Sequence, residues 1–397
     1  MVVSTGRASA IRTQRPRNRK ELILAAAVEQ FWLRGYHSVG MADIAAAVDI
    51  GPSALYRHFR NKQALLVTAM NEFLDRAGQM LAAPADRDAF VESMASTSLD
   101  CRAFGLLWER ESGHLPEEAR LATRRRLREL ASGLAEAVDA GSGESASDAN
   151  LRAWAMMSVV ASPSHHQVDV DRARFEELMR RSVRAVLTAP LPDPAVDAMA
   201  VSGPPAGLTP ISRRETLLAA AIRLFSERGY PAVALTDIGD AVGIAGPSVY
   251  NHFDSKIDLL ATALDRGTGA LWLGLQPALA AATGPEDAVR RLVKNYTAFA
   301  MGNPDLVGIL ISEVINLPED RRHSYRRTQV EYITEWTALL RRERHDLGEP
   351  ETRILVHAAL AVINSLSRIP HLRSRPFLAD EVSAMALAVL DLPVEAC

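Results

Sequence analysis

Apolar side chains recur along most of this chain at helical spacing. Leu24, Ala27, Val28 and Phe31 fall at i, i+3, i+4 and i+7, and so do Leu218, Ala221, Ile222 and Phe225. That period places a stripe of apolar groups on one helix face. The period-two alternation of half-buried strands is absent, so the pattern predicts an all-α protein. Gly35 and Gly229 follow the two stripes, where glycine takes the left-handed turn that stops a helix. A short second helix is expected over 41–48 and 235–242, burying Ile44 and Ile238. A turn follows at Asp49 or Gly243, and a third short helix runs to Phe59 or Phe253. The next helix begins at Asn61 or Ser255, both good caps, and Ser255 with Asp258 is a near variant of the capping box.

These parallel features belong to a long internal repeat. Residues 19–66 and 213–260 align without a gap at a constant offset of 194, with 22 identities in 48 pairs. Shared helical composition alone does not produce that many. The repeat continues downstream: Glu111 with Leu115, Pro116 and Glu117 matches Glu313 with Leu317, Pro318 and Glu319, and Arg124-Arg125 matches Arg326-Arg327. The offset there is 202, so the second copy has gained eight residues (202 − 194). Pro190, Pro192, Pro194, Pro204, Pro205 and Pro210 punctuate the segment between the copies, which excludes regular helix. Extended at about 3.1 Å per residue, it reaches roughly 60–70 Å. A second flexible stretch, from Gly141-Ser142-Gly143 to Asp148, reads as a loop between helices.

Two short helices joined by a tight turn are the outline of a helix-turn-helix, whose second helix enters the DNA major groove. The composition permits this. A net charge of −3 over 397 residues excludes a uniformly basic nucleic-acid coat, but only the contacting face must neutralise phosphate. Cys101 and Cys397 cannot build a disulfide framework and read as incidental thiols in a reducing compartment. No stretch approaches 18 uncharged apolar residues, and the N-terminus lacks a secretion signal's apolar core, so a cytoplasmic protein is expected. Glycine-rich phosphate loops, metal-ligand spacings and nucleophile motifs are absent, which argues against an enzyme and against a bound cofactor.

The arrangement G-Y-x(6)-D-I-x(11)-Y-x-H-F-x-x-K occurs twice, ending in Tyr56-Arg57-His58-Phe59…Lys62 and Tyr250-Asn251-His252-Phe253…Lys256. It resembles the TetR family of bacterial regulators. The strong match covers 19–66 and 213–260, and the rest of each half matches only in length, helicity and position. The resemblance implies that Tyr56, His58, Tyr250 and His252 sit on recognition helices and reach DNA phosphates or base methyls. It places Lys62 and Lys256 against the phosphate backbone, and Ala54 and Ser248 where relatives contact bases. Arg57 has the chemistry to read guanine and Asn251 to read adenine, so an asymmetric operator is expected. Pro52 and Gly246, with Pro247, begin the two third elements. The family's usual Ser or Thr cap before the second helix is replaced by Gly40 and Ala234, and alanine caps less well by about 1 kcal/mol. Asp49 stands where a turn glycine is usual.

The resemblance also implies an organisation: a basic arm (1–18, with Arg7, Arg12, Arg15 and Arg17), a first helix-turn-helix domain (19–66), a first helical regulatory domain (67–188), a Pro-rich linker (189–211), a second helix-turn-helix domain (212–260) and a second helical regulatory domain (261–397). A flexible basic arm suits the minor groove or the phosphates. The partners implied are a double-stranded DNA operator and an unidentified, apolar small-molecule effector, with no membrane. The two regulatory domains are expected to pair within one chain as a pseudo-dimer, with a homodimer of whole chains as the alternative. Pairing would set the recognition helices roughly 34–36 Å apart, or a larger helical-turn multiple.

Several residues have plainer readings. Trp108, Trp154, Trp272, Tyr296, Phe299 and Trp336 suit a ligand cavity but equally an ordinary core. Adjacent His165 and His166 point different ways on a helix and are expected at a solvent-exposed or loop position. Arg124-Arg125-Arg126 and Arg321-Arg322 read as solvated helix faces. The rival function is a diverged sensor that acts through protein–protein contacts without reading DNA. Acidic or alanine replacements at the Tyr-x-His…Lys positions would mark it, and neither copy has them.

Overall fold

In a computed structural model of the chain, residues 19–81, 87–139, 144–192 and 211–392 are described. The basic arm, the Gly141-Ser142-Gly143 stretch and most of the Pro-rich linker lie outside them. Every regular element among the described residues is helical. The first half carries α1 (Arg19–Arg34), α2 (Met41–Ala47), α3 (Pro52–Tyr56), α4 (Lys62–Leu81), α5 (Arg87–Asp100), α6 (Phe104–Glu111), α7 (Glu117–Asp139), α8 (Ala146–Ala161) and α9 (Arg172–Thr188). The second carries α10 (Arg213–Arg228), α11 (Leu235–Ala241), a 3₁₀ helix (Gly246–Asn251), α12 (Lys256–Ala280), α13 (Pro285–Gly302), α14 (Pro304–Ser312), α15 (Glu319–Glu343), α16 (Glu349–Leu366) and α17 (Leu378–Val389). The chain divides into two compact units, Met1–Ala69 and Met70–Cys397.

The smaller unit is built as the hydrophobic pattern dictates. Ile23, Leu24, Ala27 and Phe31 of α1 are buried with Ile44 of α2, Leu55 of α3 and Phe59. Gly35 stops α1 at φ +82°, its N–H donating to the Phe31 carbonyl at 2.9 Å. Asp49 takes φ +52° in the turn after α2, so an aspartate does here what glycine does in the second copy. Gly40 has no side chain to cap α2, yet half of a capping box survives: the Asp43 carboxylate accepts the Gly40 N–H at 2.7 Å. Asn61 caps α4, its Oδ1 accepting the Ala64 N–H at 2.8 Å.

In the larger unit the second copy repeats this plan. Gly229 (φ +81°) stops α10 and Gly243 (φ +72°) makes the turn. Asp237 accepts the Ala234 N–H at 2.7 Å, and Ser255 Oγ accepts the Asp258 N–H at 3.1 Å. The third element differs from expectation: it is a 3₁₀ helix, closed by Ser248 N–H to Ala245 at 2.8 Å and His252 N–H to Val249 at 3.0 Å. Gly246 and Pro247 are the two weakest helix formers, and the run is too short to recover what they withhold.

Packing fixes Gly246 independently. A Cβ there would lie 2.7 Å from Thr236 Cγ2 and 3.2 Å from Thr236 Cα. At an offset of 194 the first copy has Pro52 and Ala42 in these places, the small residue on the opposite side. Gly246→Ala is therefore expected to destabilise the second copy by about 1–3 kcal/mol, as overpacking does. Adding Thr236→Ala is expected to restore most of the loss. A double-mutant cycle in urea checks the coupling, and strict additivity of the two changes would refute the contact.

The helical parts of both halves share one core. Leu151 and Met156 of α8 and Leu178 and Met179 of α9 are buried in the same cluster as Leu355 and Val362 of α16 and Met385 of α17. α8 packs on α16 and α9 on α17. Ion pairs join the halves around that core: Arg375 to Asp148 at 2.5 Å, Arg181 to Asp391 at 2.6 Å, Arg368 to Glu109 at 3.0 Å, and Arg174 to Glu351. These pairs are partly buried and fix the register of the two halves, while the apolar area of the shared core carries the association.

Candidate nucleic-acid interface

Each third element sorts its side chains by face. Leu55 and Phe59 are buried in the first copy, and Val249 and Phe253 in the second. The intervening tyrosines point outward, Tyr56 at 54% and Tyr250 at 58% exposure, so neither is a core tyrosine. Pro52, Arg57 and His58 are exposed beside Tyr56, with Ala54 half-buried. Asn251 is exposed beside Tyr250, with Ser248 and His252 half-buried. Both copies thus present an outward phenol and imidazole two residues apart, anchored by two buried apolar groups. Gly246 is half-buried against Thr236.

The lysines are placed differently from the expectation. Lys62 Nζ donates to the Tyr36 carbonyl at 2.5 Å and the Val39 carbonyl at 2.9 Å, 4.1 Å from the Tyr36 ring centroid. Lys256 Nζ donates to Tyr230 at 2.8 Å and Val233 at 2.7 Å, again 4.1 Å from the Tyr230 ring. In each copy these ammonium bonds clasp the connection between the first two helices. Burial lowers the Lys256 pKa, with Asp237 and Glu313 opposing the shift. The ring and the carbonyls explain why a Gly-Tyr and a lysine 26 residues apart recur together: the tyrosine face and two backbone oxygens form the cation's seat.

Glu313 is a residue that the repeat marked without disclosing its role. It is buried at the end of α14, where its Oε2 accepts the Tyr230 N–H at 3.2 Å and Asn316 Nδ2 at 2.7 Å. It thereby ties a helical-domain side chain to the helix-turn-helix of the second copy. Burial pushes the Glu313 carboxyl up to about 7 from its ordinary 4.5, with the nearby Glu111 adding to the shift. Because the folded pKa is raised, the proton it retains stabilises the fold most at low pH. That contribution falls as pH rises from about 4.5 through about 7. Glu313→Gln is expected to remove this slope. Relative to the native chain, the variant should gain up to about 3 kcal/mol across that window. Urea midpoints at closely spaced pH values check this, and a parallel pH profile in the variant would refute it.

The two adjacent histidines lie in a 3₁₀ turn and the loop that follows it, the loop position expected, but without the exposure. His166 is buried rather than solvent-exposed, its ring 4.6 Å from that of His357 in α16 and 5.9 Å from Phe175. Burial and the neighbouring cations push His166 down to about 2 and His357 to about 3, so both stay neutral between the halves. His165 is partly buried beside Glu109, within the 3₁₀ turn after α8. Among the described residues no group of three or more His, Cys, Asp or Glu is placed to hold a metal. Arg124, Arg125 and Arg321 are exposed as expected. Of the aromatics singled out, Trp108 and Trp154 line a cavity, while Trp272, Tyr296, Phe299 and Trp336 belong to the packed core. No helix among the described residues is long and apolar enough to cross a membrane.

The sequence model of the family described as bacterial regulatory proteins, tetR family (TetR_N), matches residues 23–69 and 217–263. Two segments of the chain, in tandem, thus match the helix-turn-helix model of that family. One curated relative is the HTH-type transcriptional activator FasR of Mycolicibacterium smegmatis, 36% identical over 87 residues, covering 22% of this chain and 40% of FasR. Another is the HTH-type transcriptional repressor KstR2 of Rhodococcus jostii, 31% identical over 134 residues, covering 34% of this chain and 61% of KstR2. The chain thus spans less than two thirds of either relative. Among solved structures, a TetR-family transcriptional regulator from Bordetella parapertussis is 19% identical with a TM-score of 0.42, over 47% of this chain and all of that one. Both curated relatives are transcriptional regulators rather than enzymes.

Proposed function

We propose that this chain is a DNA-binding transcriptional regulator whose two helix-turn-helix units read two dissimilar half-sites of one operator. The observation that carries this is the duplicated outward pair, Tyr56 with His58 and Tyr250 with His252, each held by buried neighbours in a family segment that is matched twice. Hydroxyl and imidazole groups so placed contact phosphates and base methyls, and fix the register of the element on the duplex. Arg57 reads guanine and Asn251 reads adenine, with Ala54 and Ser248 beside them; Pro52 and Gly246 set the start of each element. Lys62 and Lys256 act on DNA by holding the first two helices together, a positioning role.

The domain division is the one the sequence implies, with regulatory domains at 67–188 and 261–397. The common core of α8, α9, α16 and α17 supports pairing of those domains within one chain as a pseudo-dimer. We take the output to be repression relieved by an apolar inducer that favours the conformation with the wrong helix spacing. Selection from random duplexes with the full chain tests the reading. Recovery of two unlike half-sites is the expected result. Recovery of no motif at moderate salt would overturn it in favour of a sensor that acts through protein contacts.

A further inference from the structure

The helical part of the first half forms a partly open cavity of about 260 Å³ among α4, α5, α6, α7 and α8. That is near the lower end of small-molecule sites, roughly 300 Å³. Its walls are mostly apolar and aromatic, led by Phe104, Trp108 and Trp154, and the second half closes one side with Ser365, Arg368 and Ile369. The corresponding interior of the second half carries a packed aromatic cluster. There Trp336 is fully buried, edge-on to Tyr296 at 5.9 Å, with Tyr332 beside both.

One polar feature in the cavity is unfinished. Glu109 Oε1 accepts from Arg368 Nη1 at 3.0 Å, but Glu109 Oε2 is buried with no hydrogen-bond partner. His165 Nε2 stands 3.7 Å away, beyond hydrogen-bonding reach. An unfilled buried acceptor is costly, and a ligand that donates to it removes that cost. The ligand's charge follows from the neighbours. Arg368 already balances Glu109, and burial lowers the His165 pKa against the opposing pull of Glu109. An ammonium ligand would leave a net positive charge in an apolar cavity, and a carboxylate would face Glu109; a neutral donor meets neither penalty.

The cavity walls also lead somewhere specific. α6 contributes Phe104, Trp108 and Glu109, then runs into the turn Ser112–His114. A Cβ added to Gly113 in that turn would lie 3.0 Å from the carbonyl oxygen of Arg228, the last residue of α10. From the other wall, Arg368 lies against Gly308 of α14, where a Cβ would meet Arg368 Nε at 3.5 Å and Ser226 Oγ at 3.1 Å. Both walls therefore end on residues 226–228, the C-terminal end of the first helix of the second helix-turn-helix.

We infer that this cavity is an effector site for a neutral apolar molecule bearing a hydroxyl group donated to Glu109, and that its occupancy acts across the halves on the second helix-turn-helix unit. The inference rests on reading the helical domains as sensors. It adds the ligand class, the residue that selects it and the direction of the signal. Arg368 is a positioning residue, set so that ligand shape on one side is felt at α14 on the other.

Four probes on one scaffold test it: biphenyl, 4-hydroxybiphenyl, biphenyl-4-carboxylate and 4-(aminomethyl)biphenyl, titrated into the full chain by calorimetry. The hydroxyl compound is expected to bind about tenfold or more tighter than the other three, the effect of one added bond to a buried charged acceptor. Glu109→Met keeps the size and removes the acceptor, so the preference should collapse while biphenyl still binds. Equal binding of all four, no binding of any, or a preference that survives Glu109→Met would overturn the ligand assignment. Hydrogen exchange on the same complexes tests the direction. Protection at 226–230 should change on binding, and a change confined to the matching 32–36 of the first copy, or none, would overturn the cross-half route. Neither readout uses DNA, so failure here is separable from failure of the DNA-reading proposal.

Discussion

Removing the phenol and imidazole from one third element, by Tyr56→Ala with His58→Ala or by Tyr250→Ala with His252→Ala, should weaken operator binding about 100-fold. Two lost hydrogen-bonding contacts to DNA at about 1–1.5 kcal/mol each give that factor. Removing all four groups should leave only salt-sensitive, sequence-independent binding. Stability should change little, because both tyrosines are more than half exposed and surface replacements usually stay within about 0.5 kcal/mol. The two pairs are not equivalent in what they read. With the tyrosines intact, Arg57→Ala should relax selectivity at one half-site and Asn251→Ala at the other, each by about 1–3 kcal/mol of base discrimination. Anisotropy titrations on the selected duplex, with melting curves alongside, check both parts. Unchanged affinity in either double variant would mean that the copy concerned does not touch DNA.

The second large effect lies in the shared core. Val362→Asp puts a carboxylate at a fully buried position in α16, inside the cluster that joins the halves. An unpaired charge there should destabilise the larger unit by at least about 4 kcal/mol. Val330→Asp is the control, because Val330 is 53% exposed and should tolerate the same change within about 0.5 kcal/mol. Chemical denaturation followed by tryptophan fluorescence distinguishes the two. DNA affinity should fall with Val362→Asp even though the change is on no DNA-facing element, because the second helix-turn-helix packs on the same helical body. Similar stability losses in the two variants would contradict the burial on which the pairing argument rests.

How much of this was legible beforehand depends on the range of the interactions. The stops at Gly35 and Gly229, the turn at Asp49 and the caps at Asn61 and Ser255 were readable because each is decided by a few neighbouring residues. The outward Tyr56 and Tyr250 were also readable, from their register against Leu55, Val249 and the phenylalanines. The lysines are legible as a pattern, but their backbone acceptors are not. Their carbonyl acceptors lie 23 and 26 residues away across a turn, and no periodicity records that contact. The loop position of His165-His166 is legible but the burial of His166 is not, since His357 in the other half completes it. The repeat flagged Glu111 and Glu313 as a matched pair. That Glu313 is buried on the Tyr230 backbone emerges only when α14 is laid beside the following turn. The Glu109–Arg368 pair spans 259 residues, and a sequence offers no handle on a contact of that separation. The 3₁₀ geometry of Gly246–Asn251 was half visible: Gly246 and Pro247 marked a weak helix, but the approach of Thr236 that requires a glycine there is a packing fact.

The central claim is that one polypeptide supplies both DNA-reading units of a paired regulator. Sedimentation of the full chain titrated onto the duplex recovered by random-site selection tests it most directly. The account predicts saturation at one chain per duplex, with the two unlike half-sites occupied by the two copies of a single molecule. Saturation at two chains per duplex, each holding one half-site through the same copy, would contradict it.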